Sequence, residues 1–222
     1  MSTHFLTLLD ELMRRSLRMA SQVEDLVQEA GEAVFLTDES LARRVVSRDE
    51  EVDQEEVVVE QEVVRLMALY QPVGIDLRRL CTVLKVNSDL ERIADCAVNM
   101  AERAYHLEVQ SLAERKGELR QLVAVTRRLL SNAIEAYRTE NTELAKQVRS
   151  GDAQIDELYA RIVQQVVAET TASTQNIAAY LDLLSVAKNL ERIADHATNI
   201  AEDVVFLSTG NIVRHQEEGA DS

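Results

Sequence analysis

Proline and glycine are nearly missing from this chain: one proline and six glycines in 222 residues. Tryptophan is absent and aromatic residues make up 4 %. With 46 % apolar residues and so few chain breakers, the sequence predicts long uninterrupted helices and an all-α fold. Cysteine is also scarce. Cys81 and Cys96 form neither a disulfide framework nor a Cys-x-x-Cys metal motif, and they read as packing residues in a reducing compartment. No apolar run reaches the roughly 18 residues of a membrane span, and Met1-Ser2-Thr3-His4-Phe5 lacks the basic and apolar regions of a signal peptide. A cytosolic protein is expected. Positive charge is short as well: 24 Lys and Arg against 39 Asp and Glu leave a net charge of −15. Phosphate backbones demand clustered Lys and Arg, so nucleic acid is not an expected partner, whereas cations and basic protein surfaces are.

What the chain does have is an internal duplication. Leu90-Glu91-Arg92-Ile93-Ala94-Asp95-Cys96-Ala97-Val98-Asn99 returns one hundred residues later as Leu190-Glu191-Arg192-Ile193-Ala194-Asp195-His196-Ala197-Thr198-Asn199. Both copies carry Glu, Asp and Asn at four-residue steps, followed by Glu102 or Glu202, which read as outer members of the same ladder. Such steps align oxygen-bearing side chains on one helical stripe. Upstream of each ladder a further pair stands four residues apart, Asp49 with Asp53 and Asp152 with Asp156. Like charges at that spacing repel by a few tenths of a kcal/mol, so four such pairs in register across a duplication point to a bound cation. One pair alone would read as a solvated acidic face.

Helical periodicity runs from Phe5 to Val34, and the N-cap cluster Thr37-Asp38-Glu39-Ser40 opens a second helix that continues to Leu69. Gln71-Pro72-Val73-Gly74 marks a turn, and a third helix spans about Ile75 to His106. The second half predicts helices over roughly 111–137, from Asn141 as N-cap to Thr170, and from Thr174 to Leu207. Two tandem three-helix bundles result, 1–108 and 109–208, followed by an acidic, Gly-containing tail over 209–222 that is expected to be disordered. Gly151, inside the fifth helix, predicts a bend or local fraying.

A hairpin about Pro72 sets Glu51, twenty-one residues before it, level with Ile93, twenty-one after. The acid pairs of the second and third helices therefore meet at one height. In the second half the corresponding midpoint falls near Ser173, in the polar run 170–174. The ladder borders the apolar sector of Val83, Leu90, Ile93, Ala94, Ala97 and Met100, so a cluster there is half shielded.

The candidate metal ligands are thus Asp49, Asp53, Glu91, Asp95 and Asn99, and Asp152, Asp156, Glu191, Asp195 and Asn199. Asn99 and Asn199 serve equally well as ligands or as hydrogen-bond bridges between helices. Carboxylate and amide oxygens suit Mg²⁺, Mn²⁺, Ca²⁺ or iron, and two facing pairs supply enough donors for a multinuclear cluster. Carboxylate-bridged di-iron or metal-storage bundles need Glu-x-x-His pairs on facing helices, which the chain lacks, and His196 points about 100° from Asp195. No Gly-rich phosphate loop or nucleophile elbow is present, so the expectation is a non-enzyme. Arg92 and Arg192 read as solvent-facing or ion-paired.

The duplicated Leu-Glu-Arg-Ile-Ala-Asp-x-Ala-x-Asn, the four acid-x-x-x-Asp pairs and Gln71-Pro72-Val73-Gly74-Ile75-Asp76-Leu77-Arg78 together resemble the PhoU family over nearly the whole length. The resemblance implies a phosphate-specific transport accessory protein of two three-helix bundles that negatively regulates phosphate uptake and the phosphate-starvation two-component response. It implies an adaptor between the ATPase subunit of the phosphate ABC transporter and a sensor histidine kinase, cytoplasmic and held at the inner membrane through those partners. A homodimer is the expected assembly. It also implies multinuclear iron, or Mg²⁺ or Mn²⁺ instead, at the four acid-x-x-x-Asp motifs. The chain departs from the family pattern in having Ala94 and Ala194 where Gly is common, and in having Thr171-Ala172-Ser173-Thr174 where the first half has its Gln-Pro turn.

Overall fold

The computed structural model describes residues 3–104, 116–172 and 177–213. Six helices follow one another: α1 (Thr3–Leu36), α2 (Glu39–Tyr70), α3 (Ile75–Ala104), α4 (Lys116–Thr139), α5 (Thr142–Ala172) and α6 (Ile177–Thr209). Their ends have local causes. Asp38 caps α2 by accepting from the backbone N–H groups of Ser40 and Leu41 at 2.9 and 3.1 Å. Asn141 does the same for α5, accepting from Glu143 and Leu144 at 3.0 and 3.1 Å. At the α2–α3 turn Gln71 adopts φ 45°, its N–H closing on Met67 O, and Gly74 takes φ 61°, where a side chain would be strained.

The polar run at 170–174 is only partly a turn. Thr170 and Thr171 belong to α5, where their hydroxyls donate back to the carbonyls of Val166 and Val167. That local bonding lets threonine occupy a last helical turn. Ser173, the 108/109 boundary, His106, the start of the fourth predicted helix and the tail beyond Val213 lie outside the described residues. Gly151 does not interrupt α5; a Cβ there would stand 2.9 Å from Leu129 Cδ1, so the glycine admits a side chain of α4.

Helices α1, α2 and α3 pack on one another, as do α4, α5 and α6, and the two bundles join chiefly through α3 against α6, with α1 touching α4. One large core crosses that join, carrying Leu90, Ile93 and Ala94 from α3 and Leu190, Ile193 and Ala194 from α6, all at most 1 % exposed. A second cluster around Phe5, Val63, Leu66 and Leu80 fills the turn end of the first bundle. Tyr137 of α4 is fully buried, its hydroxyl 3.1 Å from Ser16 Oγ on α1.

Candidate metal centre

Each ladder lies along the outer groove of its own hairpin and faces the acid pair of the preceding helix. In the first bundle the Asp49 carboxyl is pushed up by burial and then by Asp53, Asp95 and Glu102. Glu91 is pushed up to about 6, first by burial and next by Asp95, with Glu56 and Asp53 of α2 adding to it. The second bundle repeats this. Asp152 is raised to about 6 by burial, then by Asp156, Asp195, Glu191 and Glu202. Asp195 is raised by burial and by Glu191 and Asp156. The two pairs predicted to oppose each other in each half therefore share one electrostatic field.

Neutralisation of that field differs between the halves. Arg92 bridges Glu91 and Asp95 at 3.2 and 3.1 Å, folding back over its own ladder. The second ladder instead pairs Glu191 with Lys188, which also lies over the Tyr159 ring, and pairs Glu202 with Arg149 at 3.6 Å. Asp152 Oδ1 is buried with no hydrogen-bond partner. A buried, partnerless carboxylate oxygen beside four further carboxylates is what a hard cation would satisfy. The donor chemistry thus fits a metal of the Mg²⁺, Mn²⁺ or iron type. Among the described residues, however, no three His, Cys, Asp or Glu side chains already stand in a coordinating arrangement. Loading would require these carboxylates, most of them partly exposed, to change rotamer.

The two asparagines are engaged locally. Asn99 donates to Asp95 O at 2.8 Å on its own helix. Asn199 donates to Asp89 Oδ1 at 3.2 Å across the α3–α6 join, and His196 Nδ1 donates to the same oxygen at 2.8 Å. A carboxylate acceptor selects that tautomer. Asp89, Glu56 and Lys188 escaped the sequence reading. Glu56 was visible in principle, because it lies three residues beyond Asp53 on the same stripe. Asp89 was not, since it belongs to no repeat. Cys96 is buried beneath the ladder, and burial pushes its thiol up to about 11, in keeping with a packing role.

A family model described as the PhoU domain matches the chain twice, over residues 16–104 and 119–204. The phosphate-specific transport system accessory protein PhoU homolog of Xylella fastidiosa (strain Temecula1) is 34 % identical over 214 residues, covering 96 % of this chain and 89 % of its own length. The homolog of Caulobacter vibrioides (strain NA1000) is 35 % identical over 205 residues, covering 92 % of this chain and 89 % of itself. Among solved structures, PhoU from Pseudomonas aeruginosa superposes with a TM-score of 0.87 at 30 % identity, covering 93 % of this chain and all of that one. The phosphate transport system regulatory protein PhoU from Streptococcus pneumoniae gives 0.88 at 27 % identity, covering 94 % and 99 %.

Proposed function

The chain belongs to the PhoU family, and on that premise we propose that it is a non-enzymatic regulator of phosphate-specific transport whose acid clusters hold metal ions. Its action is inhibitory. With phosphate plentiful it docks on the ATPase subunit of the phosphate ABC transporter and on the sensor histidine kinase, restraining uptake and phosphate-starvation signalling from the cytoplasmic side of the inner membrane. The relatives' shared description as phosphate-specific transport accessory proteins supports the transport setting. No helix among the described residues is long and apolar enough to cross a membrane, so attachment through partners is the consistent arrangement.

The metal part rests on one observation: two opposed acid pairs in each bundle raise one another's proton affinity while Asp152 Oδ1 is left without a partner. Asp49, Asp53, Glu91 and Asp95 would hold one group, and Asp152, Asp156, Glu191 and Asp195 the other, with Asn99 and Asn199 alongside. A bound cation would supply charge neutralisation. The protein's part is to hold the carboxylates of two helices over one groove and so fix the charge that partners meet.

Two experiments separate the parts. Deleting the gene should leave a phosphate-starvation reporter switched on in phosphate-replete medium, and continued repression would overturn the regulatory reading. Titration of Mn²⁺ into chelator-stripped protein should show binding that Asp95→Ala and Asp195→Ala each reduce. Unchanged binding and melting temperature in both variants would leave the acids without a metal role.

A further inference from the structure

The groove between the two helices of each hairpin does not end with its acids. On α2 the line through Asp49, Asp53, Glu56 and Glu60 advances by steps of three or four residues and arrives next at Val64. On α3 the line back from Asp95 through Glu91 and Ser88 arrives at Leu84, Cys81 and Leu77. These lines run along the two sides of the α2–α3 contact, where Asn87 of α3 donates to Glu56 O of α2 at 3.0 Å and Glu91 feels Glu56 and Asp53. The antiparallel register then sets Val64 level with position 80, between Leu77 and Cys81 of the α3 line. Val64 is 55 % exposed and Leu77 38 %, which leaves an aliphatic floor open to solvent at the turn end.

The second hairpin repeats the arrangement position for position. From Asp152 and Asp156 the α5 line reaches Val167, and from Asp195 and Glu191 the α6 line reaches Leu184, Leu181 and Ile177. Tyr159 and Lys188 meet across it, fixing the same register. Val167 is 56 % exposed, Leu181 62 % and Ile177 41 %. Duplicated exposure of aliphatic side chains, continuous with a duplicated acid cluster, is not the scatter normal on a surface.

We propose that each hairpin groove is a docking track for an amphipathic helix of a partner protein, with aliphatic side chains at one end and Lys or Arg at the other. From Leu77 to Asp95 the track is about 27 Å long at 1.5 Å per residue, the length of a five-turn helix. Charge selects the occupant. A second copy of this chain, with its net charge of −15, a nucleic acid or an anionic lipid surface would each set negative charge against the acidic end, whereas a basic helix neutralises it and covers the aliphatic floor. The inference rests on the docking reading above only for the identity of a natural partner; the track itself stands on these residues.

The test uses a defined probe and the full chain without added metal: a fluorescent 18-residue helical peptide with leucines on one stripe of its first half and lysines on the same stripe of its second. Titration should give two peptides per chain. Val64→Glu and Val167→Glu, both at half-exposed positions that tolerate a polar side chain, should each remove one site, and the double variant should bind at least tenfold more weakly. A control peptide of equal charge with alanine for leucine should also bind at least tenfold more weakly. Failure of the wild type to bind, equal binding by the control peptide, or full binding by the double variant would each overturn the proposal. None of these outcomes depends on the phosphate reporter or the Mn²⁺ titration.

Discussion

Asp152 carries the sharpest conflict at the scale of single residues. Its carboxyl is raised from 3.8 to about 6 by burial and by four acidic neighbours, and one of its oxygens has no partner. An acid whose folded value lies above its unfolded one binds protons more readily when folded, so its stability penalty is absent below about pH 4 and grows as pH rises to about 6. Above that it is fully present. For a half-exposed group, screening reduces the penalty to about 1 kcal/mol. In metal-free protein Asp152→Asn should therefore raise the melting temperature at pH 7.5 by about 2–4 °C, with the gain vanishing near pH 4. Differential scanning calorimetry across that range checks it, and a gain that is independent of pH would assign the effect to something other than carboxylate repulsion. With Mn²⁺ present the sign should reverse, because the same substitution then removes a ligand.

Each bundle is held together by the packing of its ladder helix on its two neighbours, where Ala94 and Ala194 are at most 1 % exposed. Ala194→Leu would overpack the interior of the second bundle and should cost about 1–3 kcal/mol, lowering the melting temperature by roughly 3–10 °C. Gly151→Ala is the milder contrast. The new Cβ meets only the terminal methyl of Leu129, and the helix-propensity gain of about 1 kcal/mol offsets the shift, so stability should change by less than about 1 kcal/mol. Chemical denaturation of both variants tests the pair of expectations. Much of this level was legible in the sequence, because helix period, N-caps such as Asp38 and Asn141, and the Pro72 turn are local signals acting within a few residues. The opposition of Asp49 with Asp95 was legible too, since hairpin arithmetic fixes height. The engagement of Asn199 and His196 by Asp89 was not, because it depends on how one bundle docks on the other, and no periodicity within a helix encodes that. For Arg92 the sequence offered solvent or ion pairing, and its pairing with both Glu91 and Asp95 is one of those two, the choice resting on a flexible side chain with several partners at similar cost.

Across the whole molecule the repeats are pseudo-equivalent in shape but unlike in charge where they meet. Lys85 of α3 pairs with Asp203 of α6 at 2.8 Å, and Arg103 of α3 with Asp182 of α6 at 3.6 Å. One hundred residues on, Lys85 and Arg103 correspond to Ser185 and Asp203. The join is therefore complementary between unlike bundles and would not be between like ones, which ties each bundle to the other rather than to a copy of itself. Asp203 is 1 % exposed, so Lys85→Ala takes an ammonium away from a buried carboxylate and should cost about 2–4 kcal/mol. Because the large core continues through the join, that loss should not stay in the first bundle. Hydrogen exchange should show protection falling together in α1–α3 and in α4–α6, and calorimetry should keep one transition at a lower temperature. If exchange instead accelerated only in the first bundle, or the thermogram split in two, the bundles would be separately folding units, and the α3–α6 contact an ornament on their stability rather than its common source.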